Sequence, residues 1–190
     1  MKKVLHIVGS DRKLNSFSYN LGNAVVQSLG TNVLTERFLY KDNPPYIGSD
    51  QVAAFYKSPL ERTPNEIKSL RYSDMVIMEL QQTDVLIISS PMYNMGIASV
   101  VKAWIDQIVR LHITFSYDEQ KQKIGLVTNK KVFLAIASGR EHSNKKYSNE
   151  FIESYIKVAL GSIGLIDMTT FRIEGTACRK IEDTNFFDYI

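Results

Sequence analysis

The sequence predicts an α/β protein of the doubly wound class, in which helices cover both faces of one parallel β-sheet. Three observations support this prediction. Short apolar runs alternate along the chain with longer segments whose apolar residues recur at helical spacing. The third run, at 85–89, lacks the alternation of a half-exposed strand, so both of its faces are expected to be buried. The chain has 190 residues, which suits a single domain over 1–190.

The first half of the chain begins with a strand at Val4–Val8. Residues 20–29 form a predicted helix, because Leu21, Ala24 and Val25 share one face at helical spacing. Residues 32–38 are the second strand. Residues 39–71 are the least regular part and hold four of the five prolines, so we expect an insertion here with a short helix at 51–56.

The second half continues the alternation. Thr63 as N-cap, Pro64 at the first helical position and Glu66 at the third predict a helix over 64–82. The remaining strands are expected at 85–89, 132–137 and 166–173, and the remaining helices at 99–111 and 147–161. Helical crossovers are right-handed, so five strands with one switch point suggest the flavodoxin-like order 2-1-3-4-5.

Composition restricts the class of protein. The net charge is +3 and the pI about 8.8, with the basic residues scattered, so pairs such as Lys130–Lys131 and Lys145–Lys146 indicate solvated surface rather than a nucleic-acid site. One cysteine, Cys178, allows neither an intrachain disulfide nor a thiolate metal site, which fits a cytoplasmic protein without a metal. The apolar run ending at Val8 is too short for a signal peptide or a membrane span.

The most informative segment is the turn after the third strand, Pro91-Met92-Tyr93-Asn94-Met95-Gly96. It joins a buried strand to a helix, and ligands of open parallel sheets bind at such turns. Pro91 stiffens the turn, Tyr93 offers a flat apolar face, and Asn94 carries both a donor and an acceptor. A planar heteroaromatic ligand could lie on this turn. An ordinary strand–loop–helix connection is the alternative.

The loop after the first strand clusters hydroxyls at Ser10, Ser16 and Ser18, around Phe17 and just before a helix. A helix N-terminus with hydroxyl donors suits a phosphate group. Neither the dinucleotide motif G-x-G-x-x-G nor the P-loop motif is present. The alternative is that Ser16 or Ser18 only caps the helix.

The loop after the fourth strand is Ser138-Gly139-Arg140-Glu141, in which Gly139 would let the backbone approach a ligand. A plain surface turn is the alternative. His142 is expected to be a polar surface residue. Neither His6 nor His112 shows a serine–carboxylate pattern that would support a catalytic triad. The three loops lie at one end of the sheet, and together they favour a mononucleotide ligand.

These residues resemble the FMN-dependent NADH-azoreductase (NADH:quinone oxidoreductase) family. The turn Pro91–Asn94, followed by the helical motif Val101–Asp106, is the most specific match. Further matches, in order along nearly the whole chain, are Ile113–Tyr117, Gly125–Lys131, Gly161–Gly164 and Glu174–Gly175. The family often has Phe where this chain has Met95, and a serine followed by a glycine-rich pair where this chain has Ser138–Glu141.

The resemblance implies a flavodoxin-like fold, non-covalently bound FMN, and a homodimer with the flavin at the subunit interface. Carried over by position, Ser10 and Ser16–Ser18 would hold the phosphate. Pro91–Gly96 would line the flavin ring, and Ser138–Glu141 its other side. Phe115 and Tyr117 are candidates for the wall of the substrate pocket.

The activity that the resemblance implies is ping-pong transfer of two electrons from NADH through FMN to a quinone or an aromatic azo compound. No side chain is expected to act as a catalytic nucleophile or acid. A flavodoxin-type electron carrier is less consistent with the basic pI and the insertion. A receiver-type signalling domain would need an acidic residue where Ser89 stands. The fold alone does not distinguish a non-enzymatic FMN-binding regulatory module.

Overall fold

The computed structural model describes residues 1–30, 32–142 and 150–190, which alternate between strands and helices as predicted. In chain order the strands are β1 (Lys2–Val8), β2 (Asn32–Phe38), β3 (Val85–Tyr93), β4 (Gly96–Ile97), β5 (Phe115–Tyr117), β6 (Lys123–Gly125), β7 (Lys131–Ala137) and β8 (Met168–Ile173). The helices are α1 (Phe17–Ser28), α2 (Ser49–Tyr56), α3 (Pro64–Gln81), α4 (Ser99–Ile108) and α5 (Ile152–Gly161).

The main sheet has the order β2-β1-β3-β7-β8, and all four pairings between these neighbours are parallel. This is the predicted flavodoxin-like order of a doubly wound sheet, with its switch point beside β1. Because the strands are parallel, the loops that follow β1, β3, β7 and β8 lie along one edge. The three loops chosen from the sequence are therefore neighbours, as expected.

Helices cover both faces of the sheet because successive strand residues point to opposite sides. Leu5, Ile7, Leu86 and Ile88 face one side, where they pack with apolar residues of α3, α4 and α5. The intervening residues, such as Val4 and Ile87, face α1 and the end of the chain. Because both faces of the sheet are covered, residues of β3 that point to opposite sides are all buried, and most of the strand shows no alternation of buried and exposed residues.

Two helix starts follow the capping rules. The Thr63 hydroxyl accepts the Glu66 N–H at 3.3 Å, and the Glu66 carboxylate accepts the Thr63 N–H at 2.8 Å, which completes the predicted capping box of α3. Ser16 caps α1, since its Oγ accepts the N–H of Tyr19 at 3.3 Å. Ser16 thus has the capping role that the sequence left as an alternative.

Several boundaries differ from the prediction. α1 begins at Phe17 rather than residue 20, α4 ends at Ile108 rather than 111, and β8 begins at Met168 rather than 166. Residues 150 and 151 are not helical, so α5 starts at Ile152, and the predicted start at 147 lies outside the described residues, as do Lys145 and Lys146. Helix ends depend on caps and packing that hydrophobic spacing does not encode.

Three short strands were not predicted. β4 turns back on the end of β3, and β5 pairs with β6 in an antiparallel hairpin. Elements of two or three residues are too short for a periodic signal. Gly125 of β6 lies against the backbone of Gly164, where a Cβ on Gly125 would be 2.1 Å from the Gly164 nitrogen, so this close approach requires glycine. Within the described ranges, no helix is long and apolar enough to cross a bilayer.

Candidate functional site

A cavity of about 480 Å³ opens at the carboxyl edge of the sheet. Its position at the ends of β1, β3, β7 and β8 is where ligands bind in doubly wound folds, and its volume is in the range of small-molecule sites. Its walls come from the loops that follow β1, β7 and β8 and from the carboxyl end of β3 itself. The lining residues are Ser10, Arg12, Ser16, Phe17, Ser18, Pro91, Met92, Tyr93, Ala137, Gly139, Thr176, Ala177 and Arg179.

One end of the cavity is a hydroxyl-rich cradle at the start of α1. Ser10, Ser16 and Ser18 are almost fully buried, and the hydroxyls of Ser16 and Ser18 lie 3.1 Å apart. The first N–H groups of a helix have no intrahelical acceptor, and the helix dipole places partial positive charge there. This end of the cavity is suited to an anionic group.

The other side is formed by the end of β3, where Pro91, Met92 and Tyr93 line the cavity. The chain then reverses through Asn94 and Met95, whose φ angles are 48° and 67°. Two consecutive left-handed residues make a two-residue hairpin turn between Tyr93 and Gly96. Left-handed backbone is unfavourable for a methionine, and such strain is concentrated at functional sites. Asn94, Met95 and Gly96 are not among the lining residues.

The loop after β7 contributes Gly139 to the lining. Ser138 is buried behind it, where its hydroxyl donates to the carbonyl of Arg140 at 2.7 Å. The side chains of Arg140 and Glu141 are exposed, and neither lines the cavity. Contacts of Ser138, Arg140 and Glu141 with a ligand therefore stay predictions.

Phe115 and Tyr117 lie in the β5–β6 hairpin and do not line this cavity. Their rings meet edge to face with centroids 5.9 Å apart, and the Lys123 ammonium lies 3.9 Å from the Phe115 ring centroid. Burial at this position lowers the pKa of Lys123. A role for these aromatic residues at a substrate stays a prediction.

Sequence reasoning missed five lining residues, which are Arg12, Ala137, Thr176, Ala177 and Arg179. Arg12 stands inside the serine loop but was not selected because it is not a hydroxyl donor. Thr176, Ala177 and Arg179 follow β8, and the signal that could have found them is the strand order. The end of the fifth strand lies at the same edge as the other three loops.

The structure adds to one expectation about histidines and corrects another. His6 has serine and carboxylate neighbours that the linear sequence did not reveal, because Ser89 on β3 and Glu36 on β2 flank it on one face of the sheet, although the group is not placed to act as a catalytic triad. These partners are on different strands, so linear spacing did not reveal them. The expectation that His142 is a polar surface residue is wrong, since His142 is buried, and its backbone N–H donates to the Glu174 carboxylate at 3.0 Å.

The site contains few strongly perturbed groups. Burial, together with the nearby Tyr93 and Asp11, raises the pKa of Tyr40, which stands next to the turn after β3. In the described part of the chain, no three His, Cys, Asp or Glu side chains are grouped as a metal ion would need. The sole cysteine, Cys178, is exposed.

Comparison with known proteins first defines the class: residues 2–187 match the family model described as flavodoxin-like fold. An FMN-dependent NADH:quinone oxidoreductase from Herminiimonas arsenicoxydans is 34% identical over 182 residues, covering 93% of this chain and 89% of that protein. The chain therefore belongs to the FMN-dependent NADH:quinone oxidoreductase family of flavodoxin-like proteins.

Solved structures agree with this assignment. The crystal structure of an azoreductase from Bacillus anthracis strain Sterne matches with a TM-score of 0.83 and 26% identity, covering 93% of this chain and 88% of that one. A Bacillus anthracis strain Ames Ancestor FMN-dependent NADH-azoreductase, solved in complex with FMN, has a TM-score of 0.82 at 23% identity, covering 99% and 93%. Because its identity is only 23%, this second match supports the fold alone.

Proposed function

We propose that this chain binds FMN non-covalently in the 480 Å³ cavity and uses it to transfer two electrons from NADH to a quinone or an aromatic azo compound. The observation that carries the proposal is that one cavity joins the serine cradle at the start of α1 to the apolar wall Pro91–Tyr93. This pairing of an anion site with a flat apolar surface matches the two halves of a flavin mononucleotide. The single cysteine is consistent with a cytoplasmic enzyme.

The residues present fit the phosphate of FMN. Ser10, Ser16 and Ser18 are buried residues that line the cavity, and each hydroxyl can donate a hydrogen bond to an anion. The free N–H groups at the start of α1 add further hydrogen-bond donors, and the partial positive charge of the helix N-terminus favours an anion there. The resemblance assigns these same serines to the phosphate.

The residues after β3 fit the ring. Met92 and Tyr93 present apolar surface to the cavity, and the tight turn at Asn94–Met95 follows them at the same edge of the sheet. FMN bound there would supply the redox chemistry, accepting a hydride from NADH and passing two electrons to the acceptor. Because one site serves both substrates in turn, the expected kinetics are ping-pong.

We further propose that the N–H groups of Met95 and Gly96 stabilise negative charge on the reduced ring. A Cβ on Gly96 would meet nothing nearer than the Tyr93 carbonyl oxygen, at 3.9 Å, so the fold has room for a larger residue. Gly96→Val should weaken FMN retention without a loss of thermal stability. Unchanged flavin content and turnover in this variant would contradict the role.

The chain is also proposed to form a homodimer with the flavin at the interface. Beside the cavity, Met95 and Phe151 are large exposed apolar residues, and the Phe151 N–H donates to the Met95 carbonyl at 2.9 Å. An exposed apolar patch of this kind is typical of an interaction surface. Phe115 and Tyr117 do not reach the cavity of their own chain, so a second copy would have to supply them. Sedimentation analysis tests the dimer.

The decisive experiment is to purify the protein, reconstitute it with FMN, and record its visible spectrum before and after anaerobic NADH addition. We expect a flavin spectrum that NADH bleaches and that a quinone then restores, with parallel-line initial-rate plots. Bound flavin that NADH does not bleach would favour an electron carrier. Bleaching without turnover of any quinone or azo compound would favour a regulatory module. A protein that takes up no flavin would contradict the proposal.

A further inference from the structure

Two arginines reach the cavity in addition to the serine cradle. Arg12 and Arg179 both line it, and in the described part of the chain no carboxylate lies within ion-pair distance of either. Arg12 and Arg179 are exposed residues, whereas the more buried Arg37, Arg110 and Arg172 are each paired with carboxylates. Arg12 and Arg179 thus place two positive charges in the cavity lining, and no described carboxylate forms an ion pair with either of them.

The two arginines approach from different sides. Arg12 follows β1 and Arg179 follows β8, and the order β1-β3-β7-β8 separates these strands by three spacings, which is roughly 14 Å. The start of α1, with Ser16 and Ser18, forms the part of the cavity wall that completes this end. An anion in the serine cradle would therefore have a guanidinium available from each side.

Arg179 is held in place by the end of the chain. Its Nη1 donates to the Tyr189 hydroxyl at 2.7 Å, and its guanidinium carbon lies 6.0 Å from the Tyr189 ring centroid. Tyr189 belongs to a short 3-10 helix at Phe186–Tyr189, and the Phe186 and Phe17 rings have centroids 6.1 Å apart. The C-terminal segment thus connects Arg179 to the first residue of α1.

Arg12 is placed by the serine loop itself. It precedes a 3-10 turn at Lys13–Asn15, and its backbone N–H points to the Ser10 hydroxyl oxygen at 3.4 Å. That contact uses a lone pair of Ser10 and leaves its hydroxyl proton available for an anion. Asp11 adjoins Arg12 in the chain, and a Cβ on Gly175 would lie 3.8 Å from Glu141 Oε1 and 3.9 Å from Arg179 Nε, but neither carboxylate is ion-paired with Arg12 or Arg179.

We propose that Arg12 and Arg179 close around the FMN phosphate from opposite sides, and that Tyr189 is the positioning residue that orients Arg179. The inference rests on the proposed function and adds a selectivity to it. A phosphate monoester carries close to two negative charges at neutral pH, and guanidinium groups bind phosphate oxygens with paired hydrogen bonds. The site therefore selects the phosphorylated flavin over riboflavin, which lacks the group.

The test compares FMN and riboflavin binding by fluorescence titration of the full chain. Arg12→Gln and Arg179→Gln should each weaken FMN binding by roughly tenfold or more, because a charged hydrogen bond is lost. Riboflavin binding should change less than about twofold. Tyr189→Phe should produce a smaller loss that is again confined to FMN. Arg71→Gln, which removes an exposed arginine from α3, is the matched control and should leave both affinities unchanged.

A second readout is the salt dependence of FMN binding, which should be less steep in Arg12→Gln and Arg179→Gln than in the wild type. Equal losses for FMN and riboflavin would overturn the inference, as would affinities that match those of the wild type. If Arg179→Gln does not fold, Arg12→Gln and Tyr189→Phe decide the result by the same criteria. If the wild-type chain binds neither flavin, both the proposed function and this inference are overturned. If the wild type binds FMN and the arginine variants bind it equally well, only this inference is overturned.

Discussion

The imidazole Nε2 of His6 lies 2.7 Å from the hydroxyl oxygen of Ser89, and both side chains are completely buried between the sheet and α1. The other ring nitrogen, Nδ1, is 3.4 Å from the Glu36 carboxylate, which is an electrostatic contact rather than a hydrogen bond of good geometry. His6 lowers the pKa of Glu36, against the opposing effect of burial. Tyr19 stacks on the imidazole with centroids 5.6 Å apart.

This serine–histidine–glutamate group is structural rather than hydrolytic. A Cβ on Gly22 of α1 would lie 2.1 Å from the Ser89 hydroxyl, so no substrate atom can reach that oxygen. The group lies directly beneath the candidate phosphate loop, because the Gly9 N–H donates to the Ser89 carbonyl at 2.8 Å. Its polar atoms fix the register of β1, β2 and β3 at the point where that loop begins.

Gly22→Ala should destabilise the protein. In an ordinary helix interior this change stabilises by about 0.5–1 kcal/mol. Here the new methyl group would lie 2.1 Å from Ser89 Oγ and 2.6 Å from His6 Nε2, so we expect a net cost of about 1–3 kcal/mol from overpacking. Urea unfolding measures it. Gly161→Ala is the matched control, since nothing lies within 4 Å of its Cβ position, and it should be neutral or stabilising.

Ser89→Ala should cost about 1–3 kcal/mol because it leaves the Nε2 of His6 buried without a partner. The double variant His6→Phe with Ser89→Ala removes both polar groups and keeps a ring against Tyr19, so its stability should lie closer to that of the wild type. Equilibrium unfolding of the wild type, Ser89→Ala, His6→Phe and the double variant gives the free energies of unfolding that the comparison needs. A double variant as unstable as the sum of its singles would argue against the hydrogen bond as the source of the effect.

The sequence predicted the sheet order and the three site loops, and the physical reason is that both depend on local signals. Apolar runs mark strands, the Thr63–Glu66 box marks a helix start, and parallel strands bring their carboxyl ends to one edge. The His6–Ser89–Glu36 group and Arg179 were not predicted. Each depends on which strands become neighbours, so residues far apart in the chain meet only after the sheet has formed.

Glu153 makes the stability of the protein sensitive to acid. Burial opposes ionisation of this carboxyl, but hydrogen bonds from Lys157 and Arg172 outweigh it and lower the pKa of Glu153 to about 2. The unfolded value is 4.5, so the ionised form stabilises the fold above that pH. The contribution, about 3 kcal/mol at most, is lost as the pH falls from 4.5 towards 2.

The measurement is urea unfolding at several pH values between 7 and 2. Glu153→Gln should be less stable than the wild type at pH 7, and the difference should shrink below pH 4.5 as the wild-type carboxylate is protonated. Glu182→Gln removes an exposed carboxylate and serves as the control, with no change expected at either end of the range. A Glu153→Gln difference that stays constant with pH would contradict the shifted pKa.

Substitution of Ser16 and of Ser18 should distinguish the effect of helix capping on stability from the effect of the hydroxyls on FMN binding. The Ser16 hydroxyl accepts the Tyr19 N–H, whereas Ser18 bonds only to Ser16 among the side chains of the described residues. Ser16→Ala should therefore cost about 1 kcal/mol of stability, the usual value of a lost cap, and also weaken FMN binding. Ser18→Ala should weaken FMN binding roughly tenfold with little change in the melting temperature of the flavin-free protein.

Riboflavin titration is the control, because the affinity of Ser18→Ala for riboflavin should equal that of the wild type. If Ser18→Ala lowers the melting temperature as much as Ser16→Ala and leaves FMN affinity intact, the serines serve the helix alone and the phosphate lies elsewhere.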